Sequence, residues 1–145
     1  MHVFEEISRH SKIVFPMHPR TRKMIDSFGL SSKAANIENL IITDPIGYLD
    51  FMQLMQNARL VLTDSGGIQE ETTFLKIPCL TVRENTERPV TIEVGTNILL
   101  GSDPDKIVAA ANDIFAGRLK EGSIPELWDG RAAERIVNIL GEKLN

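Results

Sequence analysis

The feature that most constrains the fold is the alternation of two apolar patterns along the chain. Short uninterrupted runs of Val, Ile and Leu recur between longer segments whose apolar residues are three or four positions apart. The short runs predict strands covered on both faces, and the longer segments predict helices. This order predicts an α/β domain with a Rossmann-like parallel sheet and flanking helices. Ligands of such sheets bind beyond the carboxyl ends of the strands.

The predicted elements are separated by short connections and one longer loop. Strands are predicted over 13–17, 40–43, 60–63, 78–82 and 97–100, and helices over 3–9, 20–28, 48–57, 68–75, 103–115 and 132–144. The loop covers 118–131. Asp103 and Pro104 are typical of a helix start, and Gly29 and Gly117 of helix ends. The acids at 70 and 71 are expected in the first turn of the helix over 68–75, where the helix dipole favours them.

Composition excludes several classes of protein. The 145 residues suffice for one domain, and the net charge of -4 comes without a basic run that could follow a nucleic-acid backbone. The single cysteine, Cys79, rules out an internal disulfide and is expected in the core. No apolar stretch approaches the length of a membrane span, and the N-terminus lacks the apolar segment of a signal peptide. A cytoplasmic location is expected.

The strongest candidate site follows the third predicted strand. Asp64, Ser65, Gly66 and Gly67 lie between this strand and a helix, so free backbone N–H groups and the positive end of a helix dipole meet there. Glycine lets phosphate oxygens approach the amides, and the Ser65 hydroxyl adds a donor. Glu71 could accept hydrogen bonds from a vicinal diol. The alternative is an ordinary strand-to-helix turn with a serine cap.

Three further candidates lie at predicted strand ends or on a neighbouring helix. Arg88, in the charged segment 83–89, could face the same anion with its planar guanidinium. The alternative is a solvated loop with internal ion pairs. His18 could act as an acid, a base or an anion contact, and the alternative is a helix cap. Phe51 could stack on a base, and the alternative is core packing.

Several motifs, taken together, resemble the non-hydrolysing UDP-N-acetylglucosamine 2-epimerases over essentially the whole chain. These motifs are Tyr48-Leu49-x-Phe51, Thr63-Asp64-Ser65-Gly66-Gly67-Ile68-Gln69-Glu70-Glu71, Pro78-Cys79-Leu80, Arg83 with Thr86-Glu87-Arg88-Pro89, Gly95-Thr96-Asn97, and the tail Trp128-Asp129-Gly130-Arg131-Ala132-Ala133-Glu134-Arg135-Ile136.

The resemblance implies a glycosyltransferase-B-type fold, in which two Rossmann-like domains enclose the active site. It also implies inversion at C2 of UDP-N-acetylglucosamine, by elimination of UDP to a 2-acetamidoglucal and its return to the opposite face. No cofactor and no metal are implied. Residues 1–145 would form the C-terminal, UDP-binding domain, and the helix over 132–144 would cross to an N-terminal domain that this sequence lacks.

The resemblance also assigns binding roles to individual residues. Ser65, Gly66 and Gly67 would hold the diphosphate, and Arg88 would neutralise its charge. Glu71 would bind the ribose hydroxyls.

Two assignments from the resemblance lie outside this turn. Phe51 would lie near the uracil, and His18 would face the interdomain cleft, near a regulatory UDP-sugar site of some members. The residues that move the C2 proton are expected in the missing N-terminal domain, so no catalytic residue is assigned to this chain. The expected partners are a UDP-sugar and the missing domain or a split partner subunit, with a homodimer for the complete enzyme. The alternatives are a stand-alone, non-catalytic UDP-sugar binding module and one half of a glycosyltransferase.

Overall fold

The computed structural model describes residues 1–144, which alternate between helices and strands. The helices are α1 His2–Ser8, α2 Pro19–Ser27, α3 Ser31–Ala35, α4 Tyr48–Gln56, α5 Gly66–Leu75, α6 Pro89–Glu93, α7 Pro104–Phe115 and α8 Ala132–Leu144. The strands are β1 Ile13–Pro16, β2 Leu40–Thr43, β3 Val61–Thr63, β4 Cys79–Thr81 and β5 Asn97–Leu99. Each predicted strand and helix is present, with bounds shifted by at most two residues.

Every strand pairing in the described residues is parallel, as the sequence predicts. β1 pairs with β2 from Ile13 opposite Leu40, while β4 lies between β3 and β5. The strands therefore form a two-stranded sheet, β1-β2, and a three-stranded sheet, β3-β4-β5, instead of one continuous sheet. No strand pairing joins the two sheets within residues 1–144.

Local signals set the ends of the long helices. The Asp103 carboxylate caps α7 by accepting hydrogen bonds from the N–H groups of Asp105 and Lys106 at 3.0 and 3.3 Å. Gly117, with φ of 80°, ends the same helix in the left-handed conformation that glycine adopts without strain. These bounds depend on a few neighbouring residues, and the sequence therefore predicts them well.

Two local predictions need correction. α5 begins at Gly66, because Ser65 has the extended backbone of an N-cap residue, so both glycines lie inside the first turn. The acids at 70 and 71 consequently fall in the second turn, and the prediction that they occupy the first turn is wrong. The short helices α3 and α6 were not predicted. α6 begins at Pro89, whose fixed φ suits the first position of a helix.

The main core lies between the three-stranded sheet and the helices α1 and α7. Its buried members are Ile7, Leu80, Ala111 and Ile114. Cys79 in β4 is fully buried, which confirms the prediction that it is a core residue. Burial raises the pKa of the Cys79 thiol, so this side chain is held in its neutral form.

Two apolar surfaces remain uncovered. Val14 and Ile41 are neighbours in the β1-β2 ladder and are 42% and 45% exposed, so the prediction of two covered faces is wrong for this sheet. α8 has no buried residue. Its exposed apolar side chains are Ile136, Val137, Ile139, Leu140 and Leu144.

Several contacts tie the loop before α8 to the body of the domain, including a hydrogen bond from the Ser123 N–H to the Val94 carbonyl at 2.9 Å. The Lys120 ammonium group donates hydrogen bonds to the carbonyl groups of Ile92 and, at 2.9 Å, Asn97. Gly122 lies directly on the backbone of Gly95, so a Cβ atom at 122 would be 2.7 Å from the Gly95 carbonyl carbon. Only glycine permits this contact. None of the helices in residues 1–144 has the length and apolarity needed to cross a bilayer.

Candidate functional site

The first turn of α5 presents free backbone donors at the carboxyl edge of the three-stranded sheet. Ser65 has φ of -85° and ψ of 131°, and its hydroxyl makes no capping hydrogen bond. The Ser65 N–H is bonded to the Thr63 hydroxyl at 3.0 Å. Helix geometry leaves the N–H groups of Gly66, Gly67 and residue 68 without intrahelical acceptors. The structure therefore shows three free amides and a free hydroxyl in place of the serine-capped turn considered as the alternative.

Space above this turn is open. A Cβ atom added at Gly67 would have no atom within 4 Å other than those of its chain neighbours and the backbone of its own helix. A Cβ atom at Gly66 would meet only the Glu87 carboxylate, at 3.8 Å. Packing therefore does not require glycine at either position, and the open space leaves room for an anion against the amides.

The segment 83–88 is fixed against α5 by one threonine and one glutamine. The Thr86 hydroxyl donates to Gln69 Oε1 at 2.6 Å and accepts a hydrogen bond from the Arg88 N–H at 3.0 Å. Gln69 Oε1 also accepts from Asn97 Nδ2 at 3.2 Å. The side chains of Gln69 and Asn97 are fully buried. These bonds hold the backbone of Arg88 beside the first turns of α5.

The buried network continues from Asn97 into the sheet. Asn97 Nδ2 donates to the Thr91 hydroxyl at 3.1 Å, and Asn97 Oδ1 accepts from the Thr81 hydroxyl at 2.7 Å. Sequence reasoning missed Gln69 as a functional residue, as well as this network. The available signal was a polar residue, Asn97, at the start of a strand predicted to be buried.

Both arginines of this segment already have acidic partners. Arg88 Nε lies 2.8 Å from Glu70 Oε1, and Arg83 forms two hydrogen bonds with the Glu87 carboxylate at 3.2 and 3.0 Å. The hydrogen bonds from Arg83 hold the pKa of Glu87 below its usual value. One ion pair internal to the charged loop, Arg83 with Glu87, is therefore present, whereas Arg88 pairs outside the loop with Glu70 of α5. The Arg88 side chain remains 44% exposed and accessible to a ligand.

The other predicted site residues lie on neighbouring elements. The Glu71 carboxylate, half-buried on α5, has no hydrogen-bond or ion-pair partner among residues 1–144. Phe51 is half-buried on α4. His18 caps α2, because its Nδ1 accepts a hydrogen bond from the Arg20 N–H at 3.2 Å. The helix cap considered as the alternative for His18 is thus what the structure shows. No hydrogen bond in the described part of the chain connects Phe51 or His18 to α5.

The described residues contain no group of three or more His, Cys, Asp or Glu side chains that could hold a metal ion. The chemistry available at this edge is therefore anion binding by amides, a hydroxyl and a guanidinium group, beside one unpartnered carboxylate.

Comparison with known proteins assigns the family. A sequence model described as UDP-N-acetylglucosamine 2-epimerase matches residues 1–141. The chain belongs to the UDP-N-acetylglucosamine 2-epimerase family. A relative of that name from Methanocaldococcus jannaschii is 45% identical over 139 residues, which cover 95% of this chain and 37% of the relative. A UDP-2,3-diacetamido-2,3-dideoxy-D-glucuronate 2-epimerase from Pseudomonas aeruginosa is 37% identical over 131 residues, 90% of this chain and 35% of that protein.

A solved structure of this family gives the same fold. The crystal structure of Methanocaldococcus jannaschii UDP-GlcNAc 2-epimerase in complex with UDP-GlcNAc and UDP matches with a TM-score of 0.80 and 43% identity. The match covers 97% of this chain and 39% of that chain. The predicted Rossmann-like class is confirmed, and the chain corresponds to one domain of the glycosyltransferase-B-type fold of these enzymes. It spans well under half the length of the relatives it matches.

Proposed function

We propose that this chain is the UDP-binding half of a UDP-N-acetylglucosamine 2-epimerase, which interconverts UDP-GlcNAc and UDP-ManNAc. The observation that carries the proposal is the first turn of α5, where free amides and open space coincide in a chain of this family. An enzyme of this kind is an isomerase that needs no cofactor. The substrate class is a UDP-sugar, and the cytoplasm is where such a substrate is expected.

The diphosphate lies on the free donors of this turn. The amides of Gly66 and Gly67 and the Ser65 hydroxyl donate to its oxygens, and the helix dipole favours its charge. Arg88 turns Nη2 to the same oxygens, while Nε keeps its contact with Glu70 and Nη1 its hydrogen bond to the Glu87 carbonyl at 3.3 Å. A carboxylate on one side and a phosphate on the other would leave Arg88 oriented and its charge compensated.

The nucleoside extends from the diphosphate towards α4 and along α5. The unpartnered Glu71 carboxylate accepts hydrogen bonds from the two ribose hydroxyls, as a carboxylate does with a vicinal diol. Phe51 lies at the uracil. His18 faces the cleft between the domains through Nε2, since Nδ1 is engaged in the cap of α2.

This chain and the N-terminal half have different roles in the proposed reaction. UDP is the leaving group of the elimination, so the donors on α5 and Arg88 stabilise the negative charge that develops on its phosphate as the bond to the sugar breaks. The groups that remove and return the C2 proton belong to the N-terminal half. This chain alone is therefore expected to bind UDP without epimerising UDP-sugars.

The exposed apolar face of α8 favours this proposal over a stand-alone binding module. A module complete in itself would cover the side chains of Ile136, Ile139 and Leu140, which are each half exposed or more. We infer that α8 crosses to the N-terminal domain and buries this face there. The glycosyltransferase alternative is disfavoured by the match of residues 1–141 to the epimerase family.

Calorimetric titration of the chain with UDP tests the site. Arg88→Ala is expected to weaken binding by about 1.5–3 kcal/mol, the range for a hydrogen bond to a charged group. Gly67→Ala is the sharper variant, because no neighbouring atom opposes the added methyl group and the fold is expected to stay intact. Its methyl group would keep phosphate from the amides, so UDP binding should fall while the melting temperature does not.

Arg118→Ala is the matched control, since Arg118 is also an exposed arginine in an ion pair, with Asp113 near the C-terminal end of α7. UDP affinity should not change in this variant. Wild-type affinity in both Arg88→Ala and Gly67→Ala would refute the assignment of the diphosphate to α5.

Supplying the N-terminal half tests the reaction. Co-expression with the corresponding half of the Methanocaldococcus jannaschii relative should yield UDP-ManNAc from UDP-GlcNAc, detected by NMR of the anomeric proton. A purified complex of the two halves without epimerase activity would overturn the proposed reaction. The homodimer expected of a complete enzyme is checked on the same sample by light scattering.

A further inference from the structure

An acidic side chain lies at the opening of the proposed anion site and has no role in the binding described above. Glu87 Oε2 is 3.8 Å from the position that a Cβ atom of Gly66 would occupy. The Cα–Cβ bonds of a helix are tilted towards its N-terminus, so this carboxylate lies on the side of Gly66 from which a ligand approaches the amides. A carboxylate at this place repels an anion, and its presence there needs an explanation.

Hydrogen bonds hold the Glu87 carboxylate at this place. Arg83 Nη1 and Nη2 donate to Glu87 Oε2 and Oε1 at 3.2 and 3.0 Å. The Arg83 carbonyl accepts a hydrogen bond from the Gly101 N–H at 3.0 Å, which ties the backbone of the arginine to the chain after β5. On the other side of the segment, the Thr86 hydroxyl donates to the buried Gln69. The carboxylate is therefore fixed beside the turn of α5.

The charges beside this turn compensate one another. The hydrogen bonds from Arg83 hold the pKa of Glu87 below its usual value, so the carboxylate is ionised at neutral pH. Each arginine has an acidic partner, because Arg83 pairs with Glu87 and Arg88 with Glu70. The free amides and the helix dipole, equivalent to about half an elementary charge, then supply much of the attraction for an anion. Such a site favours an anion of low charge.

Nucleotides that share a uridine differ in the charge of their phosphates. The terminal phosphate of a free nucleotide loses its second proton with a pKa of about 6. A nucleotide sugar has no such ionisation, because the sugar esterifies its outer phosphate. The negative charge at neutral pH therefore rises from UDP-GlcNAc to UDP, and again from UDP to UTP. A carboxylate fixed beside the phosphates opposes each added charge.

We propose that Glu87 is a specificity-determining residue, which disfavours nucleoside triphosphates and thereby favours the diphosphate of a nucleotide sugar. A charge that repels the wrong ligand is one route to specificity, although it also lowers the affinity for the right ligand. The inference rests on the proposed function, which places the diphosphate on the first turn of α5. It adds the class of anion that this turn selects.

Calorimetric titration of Glu87→Gln with UDP-GlcNAc, UDP and UTP, in buffer without divalent cations, tests the proposal. Glutamine keeps the size of the side chain and removes its charge. Affinity should rise for all three ligands. The increase should be about threefold to tenfold larger for UTP than for UDP-GlcNAc, as expected for added charges at partly screened distances from the carboxylate. The melting temperature should not change, because the Glu87 side chain is 62% exposed.

Glu93→Gln is the matched control, because it makes the same change in net charge at an exposed residue. Glu93 ends α6 just before β5, so it lies near the amino edge of the parallel sheet, opposite the ligand edge. The relative affinities for the three ligands should be those of the wild-type chain. A preference for UTP as large as that of Glu87→Gln would overturn the proposal, by showing that net charge alone sets the selectivity.

The double variant Arg83→Gln/Glu87→Gln separates the loss of the carboxylate from the release of its arginine. Removing both partners leaves the local net charge as it is in the wild-type chain. Since the carboxylate lies beside Gly66, the double variant should still bind UTP better, relative to UDP-GlcNAc, than the wild-type chain does. A return to the wild-type selectivity would overturn the proposal, by showing that the released Arg83 binds the third phosphate.

Failure of this inference can be distinguished from failure of the proposed function. A lower affinity of Glu87→Gln for all three ligands would overturn the inference alone, and would show that Glu87 serves to position Arg83 for the ligand. An equal gain for all three ligands would also overturn only the inference. A wild-type chain that does not bind UDP would contradict the proposed function and the inference together.

Discussion

The fully buried side chain of Gln69 holds the arginine-bearing segment 83–88 against α5, and its replacement should weaken both folding and UDP binding. Gln69→Leu keeps the size of the side chain and removes its polar atoms. The Asn97 amide loses one of its two acceptors, and the Thr86 hydroxyl loses the atom to which it donates. The Ser65 carbonyl also loses a bond from Gln69 Nε2 at 3.3 Å.

The magnitude follows from which of these groups can reach water. Asn97 is fully buried, so its orphaned N–H costs about 1–3 kcal/mol, and the lost bond of the partly exposed Thr86 adds about 0.5–1.5 kcal/mol. The Ser65 carbonyl retains the Gln69 N–H at 3.4 Å and adds little. A loss of about 2–4 kcal/mol in the free energy of unfolding is expected, a large part of the total for a domain of this size.

Urea unfolding followed by circular dichroism measures this loss, and calorimetry measures UDP affinity on the same samples. Gln53→Leu is the matched control, because the Gln53 side chain is exposed on α4 and should change stability by no more than about 0.5 kcal/mol. A double-mutant cycle with Thr86→Val isolates the bond that holds the segment 83–88. Its coupling energy should appear in the UDP affinity as well as in the stability.

A loss in Gln69→Leu no larger than in Gln53→Leu would refute the reasoning. Such a result would mean that water or a rearranged side chain satisfies the Asn97 amide. The expected loss of stability with an unchanged UDP affinity would instead show that the network stabilises the fold without affecting UDP binding.

Three further predictions address other parts of the chain. Hydrogen bonds from the Arg135 guanidinium and from the Arg131 N–H hold the pKa of Asp129 at about 2, below its ordinary value of 3.8. This stabilisation of the start of α8 is therefore complete above pH 3.8 and is lost as the pH falls through about 2. An NMR titration of the Asp129 carboxyl carbon should show that midpoint, and Arg135→Ala should raise it; an unchanged midpoint would disprove the pairing. Lys120→Met removes two hydrogen bonds to backbone carbonyls and should lower the free energy of unfolding by about 1.5–3 kcal/mol, the range for charged donors. The control is Lys12→Met, which changes an exposed lysine. Cys79 is fully buried and its pKa is raised, so it should react with a thiol reagent only as fast as the domain opens. A labelling rate that does not increase with added urea would contradict this burial.

The sequence predicts those features that depend on neighbouring residues. Helix α7 is an example, because Asp103, Pro104 and Gly117 set its bounds within one segment. The start of α5 is different. Glycine is a weak helix former, so the pattern places the helix start after the glycines, while the structure begins it at Gly66. The difference matters for the site, because it makes the glycine amides part of the helix terminus.

Features that depend on distant residues were not predictable from a single sequence. Gln69 and Asn97 are 28 positions apart, and no local pattern indicates that they share a hydrogen bond. The ion pair of Arg88 with Glu70 is similar, since the charge of each residue was visible but its partner was not. Burial on both faces of β1 and β2 was inferred from apolar runs, but such runs state only that a strand prefers to be covered. The exposed pair of Val14 and Ile41 shows that the described chain does not supply that cover.

The contact between Gly122 and Gly95 fixes the loop that leads to α8 against the backbone just before β5. A Cβ atom at 122 would meet backbone atoms at 2.7–2.8 Å, and backbone cannot rotate away as a side chain does. Gly122→Ala must therefore move the loop away from Gly95. Helix α8, which is roughly 20 Å long, would be displaced with it. A single methyl group at position 122 would thus change the orientation of the apolar face of α8 without altering any residue on that face. Substitutions of increasing size at position 122 would therefore weaken the association of the two halves in steps, while the nucleotide site stays unchanged.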